Sequence, residues 1–139
     1  MEEALAHLSH RLPMTPAAVE QLTYEDTASL ELFLSRFANL QDLLGVQIFP
    51  LVARLTDEPH PAGATFIDLL NRLEKIGAIP SARSWRRLRE VRNLLAHDYP
   101  GDLELDAAAV NQVVGALEDL RAADDTIRTH VARVRTLDT

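Results

Sequence analysis

Seven large apolar residues, Leu30, Phe33, Leu34, Phe37, Leu40, Leu43 and Leu44, recur at spacings of three and four along an otherwise polar segment. On a helix that spacing makes one wide apolar stripe, whereas on a strand it would scatter the same residues over both faces. The segment is therefore expected to be a long amphipathic helix beginning near Asp26 or Thr27. Gly45 and Pro50 lie further along the same run. Proline has no N–H for the carbonyl four residues before it, so a kink or break is expected there, with Leu51–Leu55 as a continuation.

The rest of the chain supplies partners for that stripe. Leu5, Leu8 and Leu12 predict a short helix over 1–11, ended by Pro13. Asp57–Gly63 (DEPHPAG) is a loop by composition. Phe66, Leu69, Leu70, Leu73 and Ile76 share one helical face, stopped by Gly77 and Pro80. Ser81 or Ser84 is expected to cap the next helix, which runs to about His97. Tyr-Pro-Gly-Asp at 99–102 predicts a turn. Asp106 is expected to cap a last helix that points Val110, Val113, Val114, Leu117, Leu120 and Ile127 inward.

With no internal repeat, these elements predict an all-α fold, an antiparallel four- to five-helix bundle in a single domain over 1–139. A chain of 139 residues is long enough to bury a core without disulfides. Five glycines and 5% aromatic residues argue against a β-sandwich or barrel, which needs many tight turns. The absence of cysteine excludes disulfides, thiolate zinc sites, iron–sulfur clusters and cysteine nucleophiles, and it fits a reducing cytosol. The opening MEEALAHLSH has two acids and no long apolar run, so a signal peptide is not expected. No stretch approaches the ~18 apolar residues of a membrane span. A cytoplasmic protein without membrane contact is expected.

Charge is distributed unevenly. The net formal charge is −7, yet Arg83–Arg92 (RSWRRLREVR) holds five arginines and one acid, a local +4. Outside that stretch, 9 basic residues face 20 acidic ones. An acidic protein repels polyanions at long range, so a local arginine cluster on this background points to one focused anion site. The same run also reads as a solvated helix face, arginine being a good helix former.

On a helical wheel, Trp85, Leu88, Val91 and Leu95 form the apolar side of this segment. Arg86, Arg89, Asn93 and His97 fall within about 80° of one another on a second side. Arg92 lies at the edge of the apolar stripe, an expensive place for a guanidinium unless an anion, a carboxylate or a partner chain satisfies it. Such a face could grip a phosphate while His97 transfers protons near neutral pH. A structural reading stays open beside it, with Asn93 an interhelical polar group and His97 complementing the helix C-terminus. The histidines His7, His10, His60, His97 and His130 show no convincing metal-ligand spacing, and no metal or cofactor is expected.

The string Arg92-Asn93-Leu94-Leu95-Ala96-His97-Asp98-Tyr99 resembles the Arg-x-x-x-x-His motif of the HEPN superfamily, with a polar residue directly after the arginine. Tyr99, two residues after the histidine, matches the extended form found in HepT-like toxins, the ribonuclease partners of minimal nucleotidyltransferase antitoxins. The resemblance covers most of the chain as architecture and specific residues from about Arg89 to Tyr99. It implies a homodimer in which motif helices from two chains meet in a composite cleft. It also implies metal-independent RNA cleavage by attack of the ribose 2′-OH on the adjacent phosphate. In that reading His97 transfers protons, Arg92 stabilises the phosphorane-like charge, and Asn93 orients the substrate or His97. Tyr99 corresponds to the position that the antitoxin modifies with AMP, placing charge and bulk at the cleft mouth. RNA capture falls to Arg83, Arg86, Arg87, Arg89 and Arg92, and no DNA binding is expected of this chain alone.

Two other readings remain at this level. One is a non-catalytic binding module, since some bundles of the superfamily resemble companion subunits that bind a nucleotidyltransferase or its nucleotide. The chain is also compatible with a structural bundle that dimerises through Trp85–Leu95.

Overall fold

The computed structural model describes residues 1–55, 63–95 and 103–137, excepting the side chains of 103–105 and 137. The fold is all-α, of the helical-bundle class, with no strand among the described residues. The elements are α1 (Glu2–Leu8) followed by a 3₁₀ turn (Ser9–Arg11), α2 (Pro16–Glu20), α3 (Tyr24–Asp42), a π-helical turn (Leu43–Ile48), α4 (Phe49–Arg54), α5 (Phe66–Lys75), α6 (Ala82–Leu94) and α7 (Leu103–Leu137). No helix among the described residues is long and apolar enough to cross a membrane.

By packing, the chain divides into two compact units, residues 1–40 with 90–117, and residues 41–89 with 118–139. In the first, Met14, Ala107 and Val110 form a buried cluster against which Leu12, Ala18, Val19, Leu22 and Leu30 pack. Asn111 ties it to the backbone. The Met14 N–H donates to Asn111 Oδ1 at 2.6 Å, and Asn111 Nδ2 donates to the Met14 carbonyl at 2.8 Å. Helix α2, absent from the sequence-based expectation, exists because Thr15 caps it and Pro16 occupies its first turn. The Thr15 hydroxyl oxygen accepts from the Ala18 N–H.

Helix α3 starts earlier than Asp26 or Thr27. The Asp26 carboxylate accepts from the Thr23 N–H at 3.2 Å, and the Thr23 hydroxyl oxygen accepts from the Asp26 N–H at 3.1 Å. This reciprocal capping box makes Thr23 the cap and places Asp26 inside the first turn. Asp26 is buried and also pairs with Arg11 Nε at 2.7 Å and His7 Nε2 at 3.3 Å. The Thr23 N–H holds its carboxyl below the ordinary value of 3.8; burial opposes this, while the Thr23 side chain and Arg11 reinforce it.

The expected kink at Gly45–Pro50 takes the form of the π-helical turn. Widening the helix just before Pro50 fits a ring that would otherwise crowd the carbonyl of Val46 and a nitrogen with no hydrogen to give it. Leu44 is buried, whereas Leu43, expected on the apolar stripe, is exposed.

In the second unit, Leu44, Phe49, Val52, Leu69, Leu70, Leu73, Ile79, Trp85 and Leu88 are buried. Helix α5 is capped by Thr65 and Asp68 in a second capping box. It ends in a Schellman arrangement, where Gly77 takes φ +78° and the Ala78 N–H reaches the Leu73 carbonyl at 2.8 Å. The last helix begins at Leu103, so Asp106 lies within it rather than capping it. Its expected inward residues Val110, Val113, Leu117, Leu120 and Ile127 are buried, and Val114 is half-buried. The loop expected over 57–63 and the turn over 99–102 lie outside the described residues, apart from Gly63.

Candidate functional site

Helix α6 carries most of the candidate residues, and its start is held from both sides of the turn after α5. Ser81 is the cap, its hydroxyl oxygen accepting from the Ser84 N–H at 3.1 Å. Glu74, at the end of α5, accepts from the Ala82 N–H at 3.2 Å, placing a carboxylate at the positive end of α6. Trp85 anchors the helix, with its ring 4.5 Å from that of Phe49 at an interplanar angle of 58°. Gly45 makes room for it. A Cβ on Gly45 would stand 3.2 Å from Trp85 Cζ2.

The expected apolar side of α6 is only partly buried. Ala82, Trp85 and Leu88 are buried, while Val91 and Leu95 are half-buried. The helix is assigned over Ala82–Leu94, and its expected end near His97 lies outside the described residues. The Leu95 N–H donates to the carbonyl of Arg92, three residues back, at 3.1 Å. That hydrogen bond is of the 3₁₀ type.

Within the second unit, Arg83, Arg86, Arg87 and Arg89 are exposed. Arg87 donates to the Ser84 hydroxyl at 3.3 Å. Arg89, expected as an open phosphate ligand, lies with its guanidinium carbon 4.5 Å from the centre of the Phe66 ring. Stacking of this kind stabilises by about 0.5–1 kcal/mol at an exposed position and leaves the edge of the guanidinium able to donate. A small pocket beside the start of α6 is lined by Pro80, Ser81, Ser84, Trp85 and Asp119 among others, and none of the candidate arginines lines it.

Within the first unit, Arg92 is half-buried and Asn93 exposed. Half-burial agrees with a position at the edge of the apolar stripe. His97 and Tyr99 lie outside the described residues. Among the described residues no group of three His, Cys, Asp or Glu is placed to hold a metal ion.

Two features escaped sequence reasoning. One is the cluster of Asp26, Arg11 and His7, for which the signal present was the Thr23-x-x-Asp26 capping box. The other is Phe66 beneath Arg89, for which the sequence carries no local signal.

Compared with known proteins, the chain matches no family model, no curated protein and no solved structure.

Proposed function

We propose that this chain is the toxin component of a toxin–antitoxin pair, a metal-independent endoribonuclease of HEPN type silenced by AMP modification of Tyr99. The observation that carries the reading is the sequence set Arg92, Asn93, His97 and Tyr99, which continues directly from the arginine-rich run Arg83–Arg92 in an all-α chain. An adaptor has no chemical need for all four.

The chemistry requires few groups. His97 takes the proton of a ribose 2′-OH, and the 2′ oxygen attacks the adjacent phosphorus. The bond from phosphorus to the 5′ oxygen breaks, and that oxygen receives a proton from the imidazolium. The products are a 2′,3′-cyclic phosphate and a 5′-hydroxyl. An imidazole, able both to accept and to give a proton near neutral pH, suits both steps. Arg92 meets the charge that builds on the phosphorane oxygens, and Asn93 orients the substrate or His97. Half-burial of Arg92 fits this role, because a guanidinium screened from water interacts more strongly with a developing anion. Exposed Arg83, Arg86 and Arg87 capture the RNA backbone, with Arg89 held over Phe66. Two motif helices meeting in a homodimer complete the cleft, and a minimal nucleotidyltransferase antitoxin is the regulatory partner.

A second reading, a non-catalytic companion of a nucleotidyltransferase, is favoured by the net charge of −7, which opposes RNA binding. Induced expression separates the two. The ribonuclease reading predicts growth arrest by the wild type and none by Arg92→Ala or His97→Ala at equal soluble levels. A harmless wild type supports the companion reading.

A further inference from the structure

The helical run from Asp42 to Leu55, all within the second unit, presents an outward face that is unusually apolar. Val46 is 73% exposed, Leu55 63%, Leu51 47% and Leu43 43%. Single exposed leucines are ordinary, but four large aliphatic residues on one helical run are not scattered singly.

The π-helical turn gathers them. A π-turn takes about 4.4 residues and an α-turn about 3.6, so the eight residues from Leu43 to Leu51 complete about two turns. The two leucines therefore lie in line, whereas an uninterrupted α-helix would set them about 80° apart. The outward face then consists of two adjacent rows. One is Leu43, Gln47, Leu51 and Leu55, and the other is Asp42, Val46, Pro50 and Arg54. Burial agrees, since Leu44, Phe49, Val52 and Ala53 occupy the opposite side.

The second row is acidic at one end, basic at the other and apolar between. Turned end for end about a point near Ile48, it matches itself. Asp42 falls opposite Arg54 at both ends, Val46 falls opposite Pro50, and the first row sets Leu43 opposite Leu55. A parallel arrangement would instead set Asp42 against Asp42 and Arg54 against Arg54. We infer that a second copy of this chain docks on this face, as an antiparallel, two-fold helix pair centred near Ile48. A symmetric pair needs such a self-complementary patch, in which each contact occurs twice. The end charges select the antiparallel direction and the aliphatic rows supply the burial.

The patch amounts to roughly a few hundred Å² per copy, below the ~800 Å² of a standard interface, so association belongs in the micromolar range or weaker. This contact is separate from the motif-helix pairing proposed above, and the failure of either leaves the other standing.

Sedimentation velocity over a concentration series tests it, with circular dichroism confirming that each variant is folded. The wild type is expected to gain mass with concentration. Val46→Glu and Arg54→Asp each weaken that association at least ~tenfold, and Asp42→Arg combined with Arg54→Asp restores most of it. Val46 is so exposed that Val46→Glu leaves the fold intact. Equal masses for the wild type and Val46→Glu at every concentration would overturn the proposal, whether both are monomers or both assemble through another face or with another partner. Failure of the double charge swap to recover association would overturn the antiparallel pairing.

Discussion

Gly45 and Trp85 meet at a distance that admits no side chain on the former without movement of the latter, since a Cβ there would stand 3.2 Å from Trp85 Cζ2. The contact joins the π-helical turn to the helix that bears the arginine cluster, and Trp85 is buried against Phe49 on the same side. A glycine costs a helix about 1 kcal/mol relative to alanine. Here that cost is offset by packing. Gly45→Ala is expected to be close to neutral, its propensity gain cancelled by displacement of the indole. Gly45→Val adds branching at the tightest point and is expected to destabilise by about 1–3 kcal/mol. Urea unfolding followed by Trp85 fluorescence checks both, and a wild-type midpoint for Gly45→Val would contradict this packing account.

The buried Asp26 carboxylate predicts a particular acid response. Its pKa is lowered, first by the Thr23 N–H and also by Arg11. A carboxyl whose folded pKa lies below its unfolded value contributes stability above the unfolded value and loses it as the pH falls through the folded one. Asp26→Asn is therefore expected to unfold at lower temperature than the wild type at neutral pH. The gap narrows as the pH is taken from about 5 to about 2. Thermal melts across that range decide the matter, and a gap independent of pH would contradict it.

Exposed Arg86 and Arg87 are free of the aromatic stacking that occupies Arg89. If they contact RNA phosphates, each releases counterions, and the slope of log affinity against log salt should fall by about 0.7 per arginine removed on a single strand. Arg86→Ala combined with Arg87→Ala is expected to flatten the slope by about 1.4. Fluorescence anisotropy with a labelled single-stranded RNA measures it. An unchanged slope would place RNA capture elsewhere.

Much of the fold was legible because helical periodicity is local. Phe33 and Phe37, then Leu69, Leu70 and Leu73, then Val110 to Ile127, repeat at helical spacing and are buried where that spacing puts them. Helix α5 likewise begins at Phe66, the first residue of its expected apolar face. What escaped has a physical reason in each case. Leu43 faces outward because, at about 100° per residue, it falls about 120° from buried Phe37 and about 100° from buried Leu44, so the three- and four-residue spacing spread the apolar stripe wider than the buried face. Asp26 was read as a helix start because an aspartate serves as well at the third helical position as at the cap. Helix α2 is a five-residue helix, too short for a periodic signal. At the candidate site, the exposure of the arginines was legible from the wheel, as was the half-burial of Arg92. The stacking of Arg89 on Phe66 was not, since it depends on how α5 lies against α6.

The most direct measurement is the incubation of purified protein with a defined RNA in excess chelator, with mapping of the ends produced. The account predicts 2′,3′-cyclic phosphate and 5′-hydroxyl ends from the wild type without added metal, and intact RNA with Arg92→Ala and with His97→Ala, both folded. Intact RNA with the wild type, or equal cleavage by His97→Ala, would contradict the assignment of these residues as a ribonuclease site.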